Sequence, residues 1–478
     1  MEKVKYIWTE EYVGKRLGPE IPEEGYRGSA FNDKFFSKIE TLPIERIKEI
    51  QEEKLLFLVK YAYNNSAFYK KQWDEAKVKP SDIKSLSDVT KLPILKQKHF
   101  EKDQAEKPPF GTAPTRPANE QFQYYQTSGT TGKPRLWTDT KQDIENAIYA
   151  TSRALYAQGI RPGWRAFFAF PFPPFMGFWH IFHTSGAFGC HNVPKGPLPT
   201  IAWLRLILNL AYDANNFLVS TPTYALRQLE TANANGINPL DLKIKKIIVS
   251  GEAGYGIKAT NKLLTEGFGA QIHDHPGSTE HGGPILYSCE YLARPEELSD
   301  HINADYWLVE VLDPETLEPV EPDSEGKKVG ISCITALSRF GLPAIRMLLG
   351  DQLTVIENIK CGCGRTMPVV KGAIKGRADD VIIIKGVNIY PSLVENIIRE
   401  IKELSPEYRI KRTEKGGGII LAEPIPEIPK DRYKEVGEIL QKEIKEITTV
   451  TMEVEIKEPG SLPRLEAKTK RVVKEGEL

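Results

Sequence analysis

Cysteine, methionine and histidine are scarce in this chain, at 5, 5 and 8 of 478 residues. So few thiols, with Cys361 and Cys363 only one residue apart, do not make the disulfide framework of a secreted protein. Net charge is absent as well. Lys+Arg and Asp+Glu number 64 each, so no long-range field draws the molecule to nucleic acid or an anionic membrane. The first residues lack the apolar stretch of a signal peptide. Long hydrophobic runs are missing with one exception: residues 166–194 contain no Asp, Glu, Lys or Arg. Pro171, Pro173 and Pro174 interrupt that run, each costing a helix interior about 3 kcal/mol, and His180, His183 and His191 lie inside it. It reads as a buried wall, with no membrane span. Repeats and low-complexity tracts are also lacking. The composition points to a soluble cytosolic enzyme of two to four domains.

What is present alternates. Apolar residues at helical spacing predict a helix over 44–64, and further helices are expected at 141–157, 200–211, 223–233 and 391–403. Short β-rich runs at 244–249 and 307–312 lie between them, which favours α/β layers. Near Arg377 the pattern changes to a βαββαβ order, with strands at 381–384, 409–412, 419–422 and 449–456 and a second helix at 431–447. That order predicts a small α+β domain at 378–478 after a larger one at 1–377.

Gln126-Thr127-Ser128-Gly129-Thr130-Thr131-Gly132-Lys133-Pro134 is the most informative segment. Small hydroxyl residues and two glycines let backbone N–H groups and hydroxyls close around phosphate oxygens, and Lys133 adds a point charge. It is not a Walker A, because Thr127 and Pro134 stand where that loop needs glycine and Ser/Thr. The segment resembles the phosphate loop of the adenylate-forming superfamily of acyl-CoA synthetases, luciferases and peptide-synthetase adenylation domains. Residues 42–110 resemble one branch, the phenylacetate–CoA ligase family, and the similarity continues to Val473.

The resemblance implies a two-domain fold: a large domain of layered sheets and helices, and a small mobile α+β lid. It also implies roles for residues that match the family's motifs. Thr127, Ser128, Gly129, Thr130, Thr131, Gly132 and Lys133 would hold the ATP phosphates. Asp274-His275-Pro276-Gly277-Ser278-Thr279-Glu280 is similar to the family's D-x-Tyr-G-x-Ser/Thr-Glu. By that likeness Glu280 binds the magnesium of MgATP and Thr279 approaches the α-phosphate, and carboxylate oxygen suits a hard cation. Pro276 replaces the tyrosine that packs on adenine. Gly251, Glu252 and Ala253 match the adenine-facing turn. Asp351 matches the ribose-binding aspartate of R-Y-R-T-G-D, with Leu348-Leu349 in place of Arg-Thr. Arg377 would reach the ribose and Asp379 would be the hinge. Lys468 matches the catalytic lysine of the tail, with Lys470 as the alternative. A preorganised ammonium there stabilises the charge that develops when carboxylate attacks phosphate. Lys385 and Gly386 would form the loop that faces CoA.

Cys289, His301, Cys361 and Cys363 make up a closed Cys₃His set, the composition of a structural zinc site, and some members of the family carry a similar set. A second metal set, His180, His183 and His191, has no carboxylate near it in sequence. Phe172, Phe175, Phe178 and Trp179 are expected to wall an apolar acyl pocket, the competing reading being rings that only pack the core.

Together these features predict an ATP-dependent carboxylate–CoA ligase for an aryl or arylacetic acid. It would act through an acyl adenylate, releasing pyrophosphate and then AMP, with ATP, Mg2+ and coenzyme A as cofactors and a structural Zn2+. Its partners are then small molecules, with no nucleic acid and no membrane, and a homodimer is compatible with the sequence. Two rivals stay open: an adenylating enzyme without CoA, resembling those that leave AMP on a deazaflavin, and acyl transfer to a protein thiol. A nucleotide-binding relic is disfavoured, because Lys133, Glu280, Asp351, Arg377 and Lys468 are all retained.

Overall fold

The computed structural model describes residues 32–127, 135–170, 174–252, 254–384, 387–413, 417–464 and 471–473. The chain forms two compact units. One comprises residues 1–168, 172–194 and 273–372; the other comprises 169–171, 195–272 and 373–478.

In the first unit, helix α1 (Ile44–Asn65) buries Ile47, Ile50, Leu55, Leu58 and Ala62 at the expected spacing. It stops where Ser66 leaves helical geometry and accepts the Tyr69 N–H to cap the next helix. Strands β1 (Gln121–Gln126) and β2 (Leu136–Thr140) pair antiparallel, Gln126 opposite Leu136, and flank the phosphate-loop segment. Helix α2 (Lys141–Ala157) follows at once, because Thr140 and Asp143 form a reciprocal capping box. Strand β3 (Arg165–Phe168) is followed by helix α3 (Met176–Phe188) and by strand β4 (His191–Pro194), which lies parallel to β3. The charge-free run 166–194 is thus broken into strand, helix and strand, and no helix among the described residues is long and apolar enough to cross a membrane.

The second unit takes helix α4 (Thr200–Leu210), strand β5 (Asn216–Ser220), helix α5 (Pro222–Ala234), strand β6 (Ile244–Val249) and helix α6 (Lys258–Phe268). Here β5 and β6 are parallel and almost fully buried.

The remainder of the first unit is a six-stranded antiparallel sheet. Its strands are β7 (Leu286–Tyr287), β8 (Asp300–Ile302), β9 (Trp307–Leu312), β10 (Lys327–Ala336), β11 (Met347–Ile356) and β12 (Val369–Val370), in the order β7-β8-β12-β11-β10-β9.

The C-terminal module starts with the hairpin β13 (Ile382–Ile384) and β14 (Val387–Ile389), then helix α7 (Pro391–Glu400). Strands β15 (Leu404–Arg412) and β16 (Gly418–Pro424), helix α8 (Tyr433–Thr448), and strands β17 (Glu453–Ile456) and β18 (Val472–Val473) complete it. The expected βαββαβ order is present with two additions, β14 and β18. The four-stranded sheet runs β17-β16-β15-β18, so its edge strand is the chain's tail, and the first strand pairs only within its own hairpin. Ile397, Ile398, Tyr408, Ile410, Ile420, Val436, Leu440 and Ile444 fill its core, each burial being worth about 1.5–3 kcal/mol.

Candidate active site

The phosphate-loop segment begins at a clamp. Thr127 N–H donates to the Arg135 carbonyl at 2.9 Å, and the Arg135 N–H returns to Thr127 Oγ1 at 3.2 Å. The segment is therefore bounded by two paired strands, and strand β2 follows it where a helix follows a Walker A loop. Ser128, Gly129, Thr130, Thr131, Gly132 and Lys133 lie outside the described residues.

Arg135 also links this clamp to the second motif. Its Nη2 donates to Glu280 Oε1 at 3.2 Å and its Nη1 to Glu101 Oε1 at 2.6 Å. Glu280 is buried, and two residues on either side of it form a tight hairpin, Gly277–Ser278 with Gly283–Pro284. A Cβ on Gly277 would come within 2.3 Å of the Gly283 carbonyl oxygen, so only glycine fits there. The turn is held from below by Arg339, whose Nη1 donates to the carbonyls of Thr279 (2.9 Å) and Glu280 (2.6 Å). Arg339 Nε donates to Asp139 Oδ1 at 2.7 Å. Asp143, the α2 capping residue, accepts from the amides of Phe340 and Gly341 and so fixes the loop that carries Arg339.

Asp139 completes the network. Its other oxygen lies 3.2 Å from His180 Nε2, which is 3.3 Å from the Tyr125 hydroxyl. Burial opposes the charge on Asp139, but Arg339 and His180 outweigh it and hold its carboxyl below the usual carboxylate range. His180 is therefore part of a buried hydrogen-bond network. His183 Nε2 meets Gln123 Oε1 at 3.0 Å, and His191 lies exposed on β4. The one metal-type cluster found among the described residues includes none of these three.

Asp351 lies in a bulge of β11. Cys333 pairs with Leu348 and Ile331 with Gln352, so Leu349, Gly350 and Asp351 face Ser332 alone, and Gly350 takes a positive φ of 82°. Arg346, at the head of the same motif, is a structural residue: its guanidinium pairs with Glu310 and donates to the carbonyls of Thr90 and Leu92.

In the other unit, Gly251 turns the chain after β6 with φ 93°, and Glu252 Oε1 accepts the Thr223 N–H at 2.8 Å in the first turn of α5. Arg377 opens a one-turn helix, Ala378–Asp380, before β13. Ala253, Lys385, Gly386, Lys468, Lys470 and the side chain of Asp379 lie outside the described residues.

The acyl wall divides. Phe178 is buried against the rings of Phe168 (5.7 Å between centroids) and Phe182 (5.4 Å), so it packs the core. Trp179 is partly exposed and stacks on His183 at 5.8 Å, and Phe175 stands at the N-terminus of α3. Phe172 lies outside the described residues.

The Cys289, His301, Cys361 and Cys363 ligand atoms all lie within 4.8 Å of one another. Cys289 and Cys361 sulfurs are 3.9 Å apart, and Cys363 Sγ is 3.4 Å from His301 Nε2. Tetrahedral bonds of about 2.3 Å to sulfur and 2.0–2.1 Å to nitrogen would put sulfurs about 3.8 Å apart and sulfur about 3.6 Å from nitrogen. His301 Nδ1 meets the Met367 carbonyl at 3.3 Å, and since a carbonyl only accepts, the proton sits on Nδ1 and Nε2 keeps its lone pair for the cluster. Backbone N–H groups of Leu292, Cys363 and Arg365 point at the three sulfurs at 3.4–3.5 Å. The donor set fits a metal ion.

Residues 386–475 match the AMP-binding enzyme C-terminal domain. The phenylacetate–coenzyme A ligase of Thermus thermophilus is 32% identical over 457 residues, covering 91% of this chain and 98% of that protein. This chain belongs to the phenylacetate–CoA ligase family. The Escherichia coli phenylacetate–coenzyme A ligase is 27% identical, with 91% and 96% covered. Among solved structures, 2-hydroxyisobutyryl-CoA ligase with an acyl-AMP in its postadenylation state superposes with a TM-score of 0.85 at 25% identity, covering 95% and 98%. The same enzyme in its thioesterification state, with CoA, gives 0.69 at 26% identity, covering 94% and 97%. As a member of this family the chain is an AMP-forming acid–thiol ligase, and its α/β fold with a C-terminal module is that of the adenylate-forming enzymes.

Sequence reasoning missed Arg135, Asp139 and Arg339, and it weighed His180 only as a metal ligand. Arg135 is the one that carried a signal, standing directly after the loop. The others belong to no motif, and Arg339 and Asp139 are 200 residues apart.

Proposed function

We propose that this ligase activates an aryl or arylacetic acid with ATP and passes the acyl group from the adenylate to CoA. The observation that carries the reading is Arg135. One residue, through its backbone to Thr127 and its side chain to Glu280, joins the base of the phosphate-loop segment to a carboxylate 145 residues away, which supports a shared role at phosphate. Glu280 is the carboxylate that would hold Mg2+; bound to ATP, the metal offsets the charge of the phosphate oxygens. Thr279 would approach the α-phosphate, Thr127 would open the phosphate cradle, and Asp351 and Arg377 would hold the ribose. Lys468 would stabilise charge in adenylation, and Lys385 and Gly386 would face CoA once the lid has turned at Asp379. The working division is residues 1–377 and 378–478. Trp179 and Phe175 support an apolar acid because they supply aromatic surface on α3 that the core does not fully bury.

Zn2+ is the metal we assign to the Cys₃His cluster. All four positions are taken by protein atoms, so its role is structural: it ties the segment after Glu280 to the segment between Asp351 and the hinge. A homodimer is the proposed assembly, and sedimentation equilibrium tests it.

The deciding experiment is pyrophosphate release over a panel of aryl and alkyl acids, with and without CoA. The reading expects release with an aryl acid and AMP release that requires CoA. Turnover confined to short alkyl acids overturns the substrate class. AMP left on an acceptor other than CoA overturns the thiol.

A further inference from the structure

Among the described residues, helix α7 and Arg471 of the C-terminal module both hydrogen-bond to residues 195–272 of the same unit. Helix α6 begins without a side-chain cap, because Ile257 at its N-cap has no oxygen to offer. Its first-turn amides need an acceptor from elsewhere. Helix α7 supplies it: Asn396 Oδ1 accepts the Ala259 N–H at 3.2 Å, and Thr260 Oγ1 donates to Glu395 Oε1 at 3.4 Å. A carboxylate at that helix end also complements the helix dipole.

Arg471 makes the second contact. Its charge is balanced inside the module by Glu407 at 3.2 Å and Glu395 at 3.9 Å, and its guanidinium rests on the Tyr408 ring at 4.5 Å. One Nη2–H reaches out to Thr223 Oγ1 at 3.1 Å. Thr223 in turn donates its amide to Glu252, so a chain of two hydrogen bonds runs from Arg471 to the Gly251–Glu252 turn. In sequence Arg471 follows Lys468 by three residues.

The balance of charge matters. When the module turns away, Arg471 keeps both carboxylates, and what is lost is three hydrogen bonds, one of them a helix cap, all replaceable by water. Contacts of that strength bias an orientation without freezing it. We propose that Asn396 and Arg471 are positioning residues, a reversible latch that holds the C-terminal module on the first turns of α5 and α6 in the orientation used for adenylation. The inference rests on the ligase reading.

Its test is the variant pair Thr223→Val with Asn396→Ala, which removes the latch and leaves Arg471 paired. Acid-dependent exchange of pyrophosphate into ATP reads the first half-reaction. Thioester formation from a preformed acyl adenylate and CoA reads the second. Exchange should fall about tenfold, the worth of one or two such hydrogen bonds. Thioester formation should hold its rate or rise, with the melting temperature little changed. Thr223→Ser and Asn396→Asp, which keep the oxygens, should retain exchange. An equal fall in both half-reactions, or exchange unaffected, overturns the latch while leaving the ligase reading intact. A native chain that supports neither half-reaction overturns the ligase reading, and the latch with it.

Discussion

Two regions of the first unit begin nine residues apart and are built on opposite principles. At the Thr279–Glu280 turn every charge is answered by protein: Glu280 by Arg135, Arg135 also by Glu101, and Asp139 by Arg339 and His180. At Cys289, His301, Cys361 and Cys363 three sulfurs and a ring nitrogen are gathered within 4.8 Å, with the Arg365 guanidinium beside Cys363. The first arrangement fixes a buried carboxylate with protein partners alone, as the proposed magnesium ligand requires. The second gathers soft donors at the spacing a metal ion needs, in line with the proposed structural zinc. Glu40 and Arg365 mark the border, as a buried ion pair whose arginine amide points at Cys363.

The largest effect should come from breaking the cluster. Cys361→Ser should reduce bound zinc from one per chain to none and lower the melting temperature by about 10 °C, as read by elemental analysis and calorimetry. A native preparation that is metal-free yet fully stable would remove this half of the comparison.

Next comes Arg339→Met. It leaves Asp139 buried with His180 alone and frees the Thr279 and Glu280 carbonyls, so unfolding free energy should drop by about 3–5 kcal/mol. Adding Asp139→Asn should restore part of that loss in chemical denaturation. A loss no greater than at an exposed arginine would mean that the network does not hold the turn.

Glu280→Gln sharpens the chemistry. The fold should persist, since glutamine still accepts from Arg135, but adenylation should fall about 10²–10³-fold as magnesium loses a charged ligand. Near-normal pyrophosphate release from the folded variant would end the assignment.

A smaller effect is expected where cations exceed anions. Lys54 is buried beside the bidentate Arg153–Asp305 pair, and its ammonium donates to the Asp305 carbonyl. Burial lowers its pKa from 10.5 to about 8, against the pull of Asp305 and with the push of Arg153. Between those values the unfolded chain binds the proton and the folded chain does not, so stability rises with pH there. Measured against Lys54→Met, the native chain should gain roughly 3 kcal/mol from pH 8 to 10.5. A difference that is flat with pH would refute the shift.

Much of this was legible before the fold was known, because the signals are local. The capping pair Thr140 and Asp143 marks the start of α2, and the 3.6-residue spacing of Ile47, Ile50, Leu55 and Leu58 marks the buried face of α1. Gly277 stands where no Cβ fits. The four metal-type ligands were legible by residue type, and they converge although Cys289 and Cys361 are 72 residues apart. The rings of 172–179 were only half legible: composition suggests an aromatic wall, yet Phe178 faces the core while Trp179 does not, and one helical step separates them.

The sequence alone therefore determined the elements and the ligand types of the cysteine–histidine cluster, because caps, turns and side-chain periodicity act over a few residues. Tertiary structure decided which charges meet. Arg339 reaches Asp139 across 200 residues, Arg135 reaches Glu280 across 145, and Arg471 reaches Thr223 across 248. Nothing local encodes those pairs. Buried charges need partners wherever packing brings the chain together, and only the packed chain supplies them.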